Sequence, residues 1–213
     1  MKTHELITLL ARQLEPVAPH ASTRILGGRL MVSGIVSTAL MLCVYGLNPE
    51  LARDLLSTTG LLKVLWPGAL ALAAFVMVHR LARPGVKPGH EWPAFVTGTA
   101  LVWWQGMASW LAESGPSKQQ LLWGQTWQSC SLSIAALALP MLAGLLWALR
   151  QLAPTRPALS GACAGLLAGT ISTSLYALHC PEMAAPFLAV WYSLGIALSA
   201  VAGAAAGAAL LRW

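Results

Sequence analysis

The sequence predicts an all-α, polytopic integral membrane protein with six transmembrane helices and a short amphipathic helix ahead of them. Three observations predict it. Only 9% of residues are charged and 57% are hydrophobic, whereas a soluble domain carries about a quarter charged residues, so a water-facing surface could not be covered. The apolar stretches run for about the 20 residues that a hydrocarbon core of roughly 30 Å demands. They also lack the alternation of barrel strands, which leaves helices to satisfy each backbone amide inside lipid.

The six stretches, in order, are Ile25–Gly46, Gly60–Val78, Trp92–Leu111, Trp127–Leu149, Leu159–Leu178 and Phe187–Leu211. The first ends at Asn48-Pro49, the second at Arg83-Pro84-Gly85 and the third at Ser114-Gly115-Pro116. Pro154-Thr155-Arg156-Pro157 closes the fourth, and Pro181 separates the fifth from the sixth. Each is a combination that stops a helix or starts a turn. The third stretch is the least apolar, with Gln105 towards its outer half.

Charge gives the orientation, since Lys and Arg in short loops stay on the cytoplasmic side. With the N-terminus inside, that side holds Lys2, Arg12, Arg24, Arg29, Arg80, Arg83, Lys87, Arg150, Arg156 and Arg212, ten of the thirteen basic residues. Arg53, Lys63 and Lys118 fall outside, near Glu50, Asp54 and Glu113. Both termini are therefore expected in the cytoplasm, with the helices crossing an inner membrane. The net charge of +6 is explained by topology rather than by a nucleic-acid partner. Met1 to His20 does not read as a cleavable signal, because Glu5, Glu15 and two prolines interrupt it.

Trp66, Trp92, Trp110, Trp127, Trp147 and Trp213 lie near span ends, where amphipathic rings anchor at the interface. Gly161, Gly165 and Gly169, then Gly195, Ser199, Gly203 and Gly207, recur every fourth residue. That spacing lets backbones approach closely, either between the fifth and sixth spans or across a homo-oligomer.

The span centres hold almost no ionisable residue, which argues against a pump or ion-coupled transporter. His4, His20, His79, His90 and His179 fall at ends or in loops, so a membrane haem has no ligands. No phosphate loop, HExxH or CxxC occurs. The sequence does not read as an enzyme.

Two features remain. Residues 1–22 form a separate segment ahead of the 23–213 membrane domain, and Leu6, Ile7, Leu9, Leu10 and Leu14 share one side of a helix there. Pro16 and Pro19 end that helix, which at about a dozen residues is too short to be stable alone. Its apolar side lies on the inner leaflet, folds on its own membrane domain, or docks in a groove of a cytoplasmic protein. The second feature is cysteine placement. Cys130 begins the fourth span and Cys180 sits in the loop His179-Cys180-Pro181-Glu182, both on the outer side. They are either small buried apolar residues, a pair able to form a disulfide, or a soft-metal site with His179 and Glu182 as additional ligands. Cys43 and Cys163 lie elsewhere.

The second half of the chain runs through Gly144-Leu145-Leu146-Trp147-Ala148-Leu149-Arg150, Tyr176-Ala177-Leu178-His179-Cys180-Pro181-Glu182 and Trp191-Tyr192-Ser193-Leu194-Gly195-Ile196 to Leu211-Arg212-Trp213. This series resembles the NrsF family of bacterial membrane anti-sigma factors, most clearly from about Ser129 onwards. The resemblance implies six spans and a cytoplasmic N-terminal segment that holds an extracytoplasmic-function sigma factor, here through Leu6, Leu9, Leu10 and Leu14. It also implies that Cys130 and Cys180 sense metal or oxidant stress, with a soft metal ion as one form of the signal. The sequence departs from the family pattern at Met183, where a second acidic residue is expected. The rival readings are a small transporter or channel for an uncharged or metal-linked solute, and a purely structural membrane subunit. A solute path would have to use Gln105, Ser131, Ser133, Thr170 and Ser172.

Overall fold

The computed structural model describes residues 20–83, 85–86, 89–115 and 117–212, and all elements found there are helical. Leu6, Leu9, Leu10 and Leu14 lie outside the described residues. The helices are α1 (Ala21–Val44), α2 (Leu51–Leu56), α3 (Thr58–Leu81), α4 (Glu91–Ala112), α5 (Ser117–Trp123), α6 (Trp127–Leu152), α7 (Pro157–Ala177) and α8 (Ala185–Leu210). Every long helix ends within four residues of an expected span end.

Local chemistry sets these boundaries. α1 stops where Gly46 adopts a φ of +71° and its N–H, like that of Tyr45, returns to the Met41 carbonyl, a glycine stop that only a residue without Cβ takes up freely. Ser57 caps α3 by accepting from the Gly60 N–H at 3.0 Å. Pro157 opens α7 at a position where its missing N–H costs nothing.

Five helices are long and apolar enough to cross a membrane: Ala21–Val44, Thr58–Leu81, Ser117–Leu152 (α5 and α6 together), Pro157–Ala177 and Ala185–Leu210. The expected third span is present as α4, but Trp103, Trp104 and Gln105 leave it outside that group. The count of six therefore becomes five strongly apolar helices and one mixed one. α6 and α7 are the most buried, and α1, α3, α4 and α8 surround them. Met31, Val32, Ile35, Leu72, Leu101 and Val201 are exposed on the outside of the bundle, a belt suited to lipid.

The glycine faces are used within the chain. A Cβ on Gly161 would run into the Gly203 carbonyl and come within 2.8 Å of Gly207 Cα, and one on Gly203 would come within 3.0 Å of Gly165 Cα. Of the two roles the spacing allowed, the structure fills the packing of the fifth span on the sixth. A Cβ on Gly165 would run into the Ser199 carbonyl and come within 2.7 Å of Ala200 Cα. Gly165→Val should cost at least about 1–3 kcal/mol, read as a lower thermal midpoint of the protein in detergent. Gly34→Val, where a Cβ meets nothing within 4 Å, should leave that midpoint unchanged.

Candidate thiol site

The turn that follows α7 collects polar contacts from four parts of the chain. Asn48, beyond α1, donates its N–H to the Leu178 carbonyl at 3.0 Å. Lys63, in the second turn of α3, donates its ammonium to the Cys180 carbonyl. Gln125, between α5 and α6, donates its N–H to Glu182 Oε1 at 2.6 Å. The turn's own Cys180 N–H returns to the Tyr176 carbonyl at 3.0 Å. These contacts suit an apolar surrounding, where an unpaired backbone group is costly.

Held in this way, the turn delivers Cys180 to Cys130 in the first turn of α6. Both side chains are fully buried and pack as neighbours in one cluster. Both are free thiols. Around them pack Tyr176, Phe187 and Tyr192, with Trp127 and Trp191 alongside. The Tyr192 hydroxyl is buried in this cluster with no hydrogen-bond partner among the described residues, and Thr126 Oγ1 is 3.9 Å from Cys180 Sγ. α8 contributes through a π-helical turn, Leu188–Tyr192, a departure common at functional sites. There the Trp191 carbonyl accepts from Ser131 Oγ at 2.7 Å and the Trp191 ring donates to the Leu122 carbonyl at 2.8 Å.

The Cys180 thiol, in its turn between helices, is held below the ordinary thiol value. The neighbouring Cys130 thiol is the main cause, burial opposes it, and the Lys63 ammonium and the Glu182 N–H reinforce it.

The other expected residues are placed differently. His179 is enclosed by the rings of Tyr45 and Tyr176, at centroid distances of 5.4 and 5.7 Å. The Glu182 carboxylate is committed to the turn before α6, where Gly124 has a φ of +53° and a Cβ would come within 2.7 Å of that carboxylate. Among the described residues, no three of His, Cys, Asp and Glu converge as a metal cage. Cys43 is exposed on α1, and Cys163 is buried in the main core instead. The polar residues that a solute path would use are dispersed. Thr170 bonds its own helix at 2.8 Å, Ser131 holds Trp191, and Gln105 is exposed on the outside of α4.

Lys63 is the residue that sequence reasoning misplaced. It counted as an outer loop cation, yet it is 4% exposed inside α3. A lysine in a membrane helix costs up to about 3 kcal/mol at mid-span and is kept for a reason. The signal was present, because Lys63 interrupts the otherwise apolar run Gly60–Val78.

Comparison with known proteins bears out the family resemblance. The profile of the NrsF family, described as negative regulator of sigma F, matches residues 10–213. The chain is 39% identical over 222 residues to "Anti-sigma-F factor NrsF" of Caulobacter vibrioides (strain NA1000 / CB15N), covering all of both chains. It is 40% identical over 216 residues to "Probable anti-sigma-F factor NrsF" of Azospira oryzae, again over the full length of each. No solved structure matches it. The match takes in all the described helices and both thiols, and the chain belongs to the NrsF family of negative regulators of sigma F.

Proposed function

We propose that this chain is an anti-sigma factor of the bacterial inner membrane, with both termini in the cytoplasm. Its leading segment holds an extracytoplasmic-function sigma factor, and Cys130 and Cys180 release it in response to oxidant or metal stress. The observation that carries the reading is full-length kinship with proteins named anti-sigma-F factors, a regulatory and not an enzymatic class. The bias of basic residues to one side supports the orientation.

In the leading segment, Leu6, Leu9, Leu10 and Leu14 form the contact with the sigma factor. A fully covered leucine contributes roughly 1.5–3 kcal/mol, so two or three such anchors account for most of a working affinity. While the complex holds, the sigma factor is kept from RNA polymerase. Leu10→Asp should weaken the complex by roughly 10- to 100-fold. The regulon would then be expressed without stress, and the sigma factor would be lost from a pull-down with the intact chain. Unchanged expression at normal protein level would contradict the leucine contact.

Two buried thiols in contact, with His179 and Glu182 engaged elsewhere, favour a disulfide as the switched state. Two thiols then give up two protons and two electrons to an oxidant, and one S–S bond forms. A soft metal ion held by the two sulfurs after loss of both protons is the alternative form of the same switch. Cys130→Ser and Cys180→Ser should each abolish induction while leaving repression in unstressed cells intact. Full induction by oxidants and metals in both variants would make the sulfurs structural.

A further inference from the structure

Oxidation at one end of the bundle must be felt at the other, where α1 begins just after the leading segment. We propose that α3 is the element that transmits the state of the thiol pair, with Lys63 as the positioning residue that receives it and His79 as the residue that passes it to α1. The proposal rests on the sensing role of Cys130 and Cys180 given above.

At the thiol end, an S–S bond of about 2.05 Å requires the two sulfurs to close on each other. Cys130 is set in α6, among the most buried helices. Cys180 is set in a turn, and the turn is the softer of the two. Lys63 is attached to the carbonyl of Cys180 itself, so displacement of that peptide pulls on α3 directly.

α3 is built to respond. Pro67 lies inside it, and the proline four residues after Lys63 has no N–H to offer the Lys63 carbonyl. The turns from Thr58 to Trp66 can therefore tilt without breaking the helix. Trp66 sits at that joint, and its ring N–H donates to the Gly98 carbonyl of α4 at 3.0 Å. It is also packed against both buried clusters, the one around the thiols and the one that runs through Leu70, Met77 and Leu81 to Leu26 of α1. A tilt at the thiol end thus presses on the main core through one large side chain.

At the opposite end, α3 meets the first turn of α1. Thr23 Oγ1 and His79 Nε2 share a hydrogen bond of 2.8 Å, and Arg80 pairs with Glu91 of α4 at 3.4 Å. Thr23 is the third residue of α1, and the chain before that helix is the segment that binds the sigma factor. A rearrangement of α3 therefore reaches the root of that segment through a named pair of atoms. Such coupling requires that both sites bias the same two-state element, and α3 is placed to be that element.

The test separates oxidation from release. The full chain is expressed with a sigma-dependent reporter, and the thiol state is read after oxidant by alkylation with a maleimide that shifts gel mobility. Lys63→Met, which also removes a cation and a hydrogen bond from Cys180, should form the disulfide more slowly but to completion under excess oxidant and repress normally without stress, yet lose at least about fivefold of its induction when the disulfide is complete. Lys63→Arg should restore more than half of it. Thr23→Val, at an exposed position, should form the disulfide normally and also lose induction, and it decides the matter if Lys63→Met does not accumulate. Parental induction in either accumulated variant would overturn transmission through α3, as would a Lys63→Met chain whose thiols no longer join. Failure of the sensing reading looks different: Cys130→Ser would then induce fully.

Discussion

The organising constraint is that polar groups cannot be left unpaired inside an apolar bundle. The turn between α7 and α8 breaks helical bonding around the fully buried Cys180, so the carbonyls freed there need partners from outside. The chain supplies them from Asn48 and Lys63, with Gln125 donating to the Glu182 carboxylate, and the three belong to separate parts of the sequence. Fixing the turn for that reason also fixes Cys180 against Cys130. The thiol pair is thus a product of the hydrogen-bond accounting at this end of the molecule, and its chemistry is tied mechanically to every segment that satisfies the turn.

Much of this was legible in the sequence. Long apolar runs closed by Pro and Gly placed all six long helices, because backbone satisfaction in lipid leaves few alternatives. Recurrent small residues announced the close packing of α7 on α8, since only a missing Cβ permits backbones to approach as they do at Gly161 and Gly203. Placement brought Cys130, at a span start, and Cys180, in a loop, together as one of several alternatives, and the family resemblance singled the pair out. Lys63 was misplaced because a charge count treats a cation near a span end as a loop residue, and the partner that makes its burial tolerable is a backbone carbonyl 117 residues away. The roles of His179 and Glu182 were likewise invisible, for the rings of Tyr45 and Tyr176 and the N–H of Gln125 come from distant segments.

The arrangement separates holding from sensing. In the proposed function, apolar anchors in a short segment would give an affinity that a modest change in presentation can reverse, since about 1.4 kcal/mol is a factor of ten. Sensing, in the same proposal, falls to two sulfurs packed among Trp, Tyr and Phe side chains, a setting that would keep weak oxidants away from them. A covalent bond between them selects one packing of the surrounding helices far more strongly than a weakly bound ligand could, because a signal shifts an equilibrium only by its differential preference for the two states.

The contact between Cys130 and Cys180 is where the physical picture is most exposed. Bacterial membranes containing the full chain can be treated briefly with an oxidant, blocked, digested and searched by mass spectrometry for joined peptides. The structure predicts an intramolecular link between Cys130 and Cys180 as the dominant product. A product dominated by links through Cys43 or Cys163, or by links between two chains, would mean that the two sulfurs do not meet at this turn.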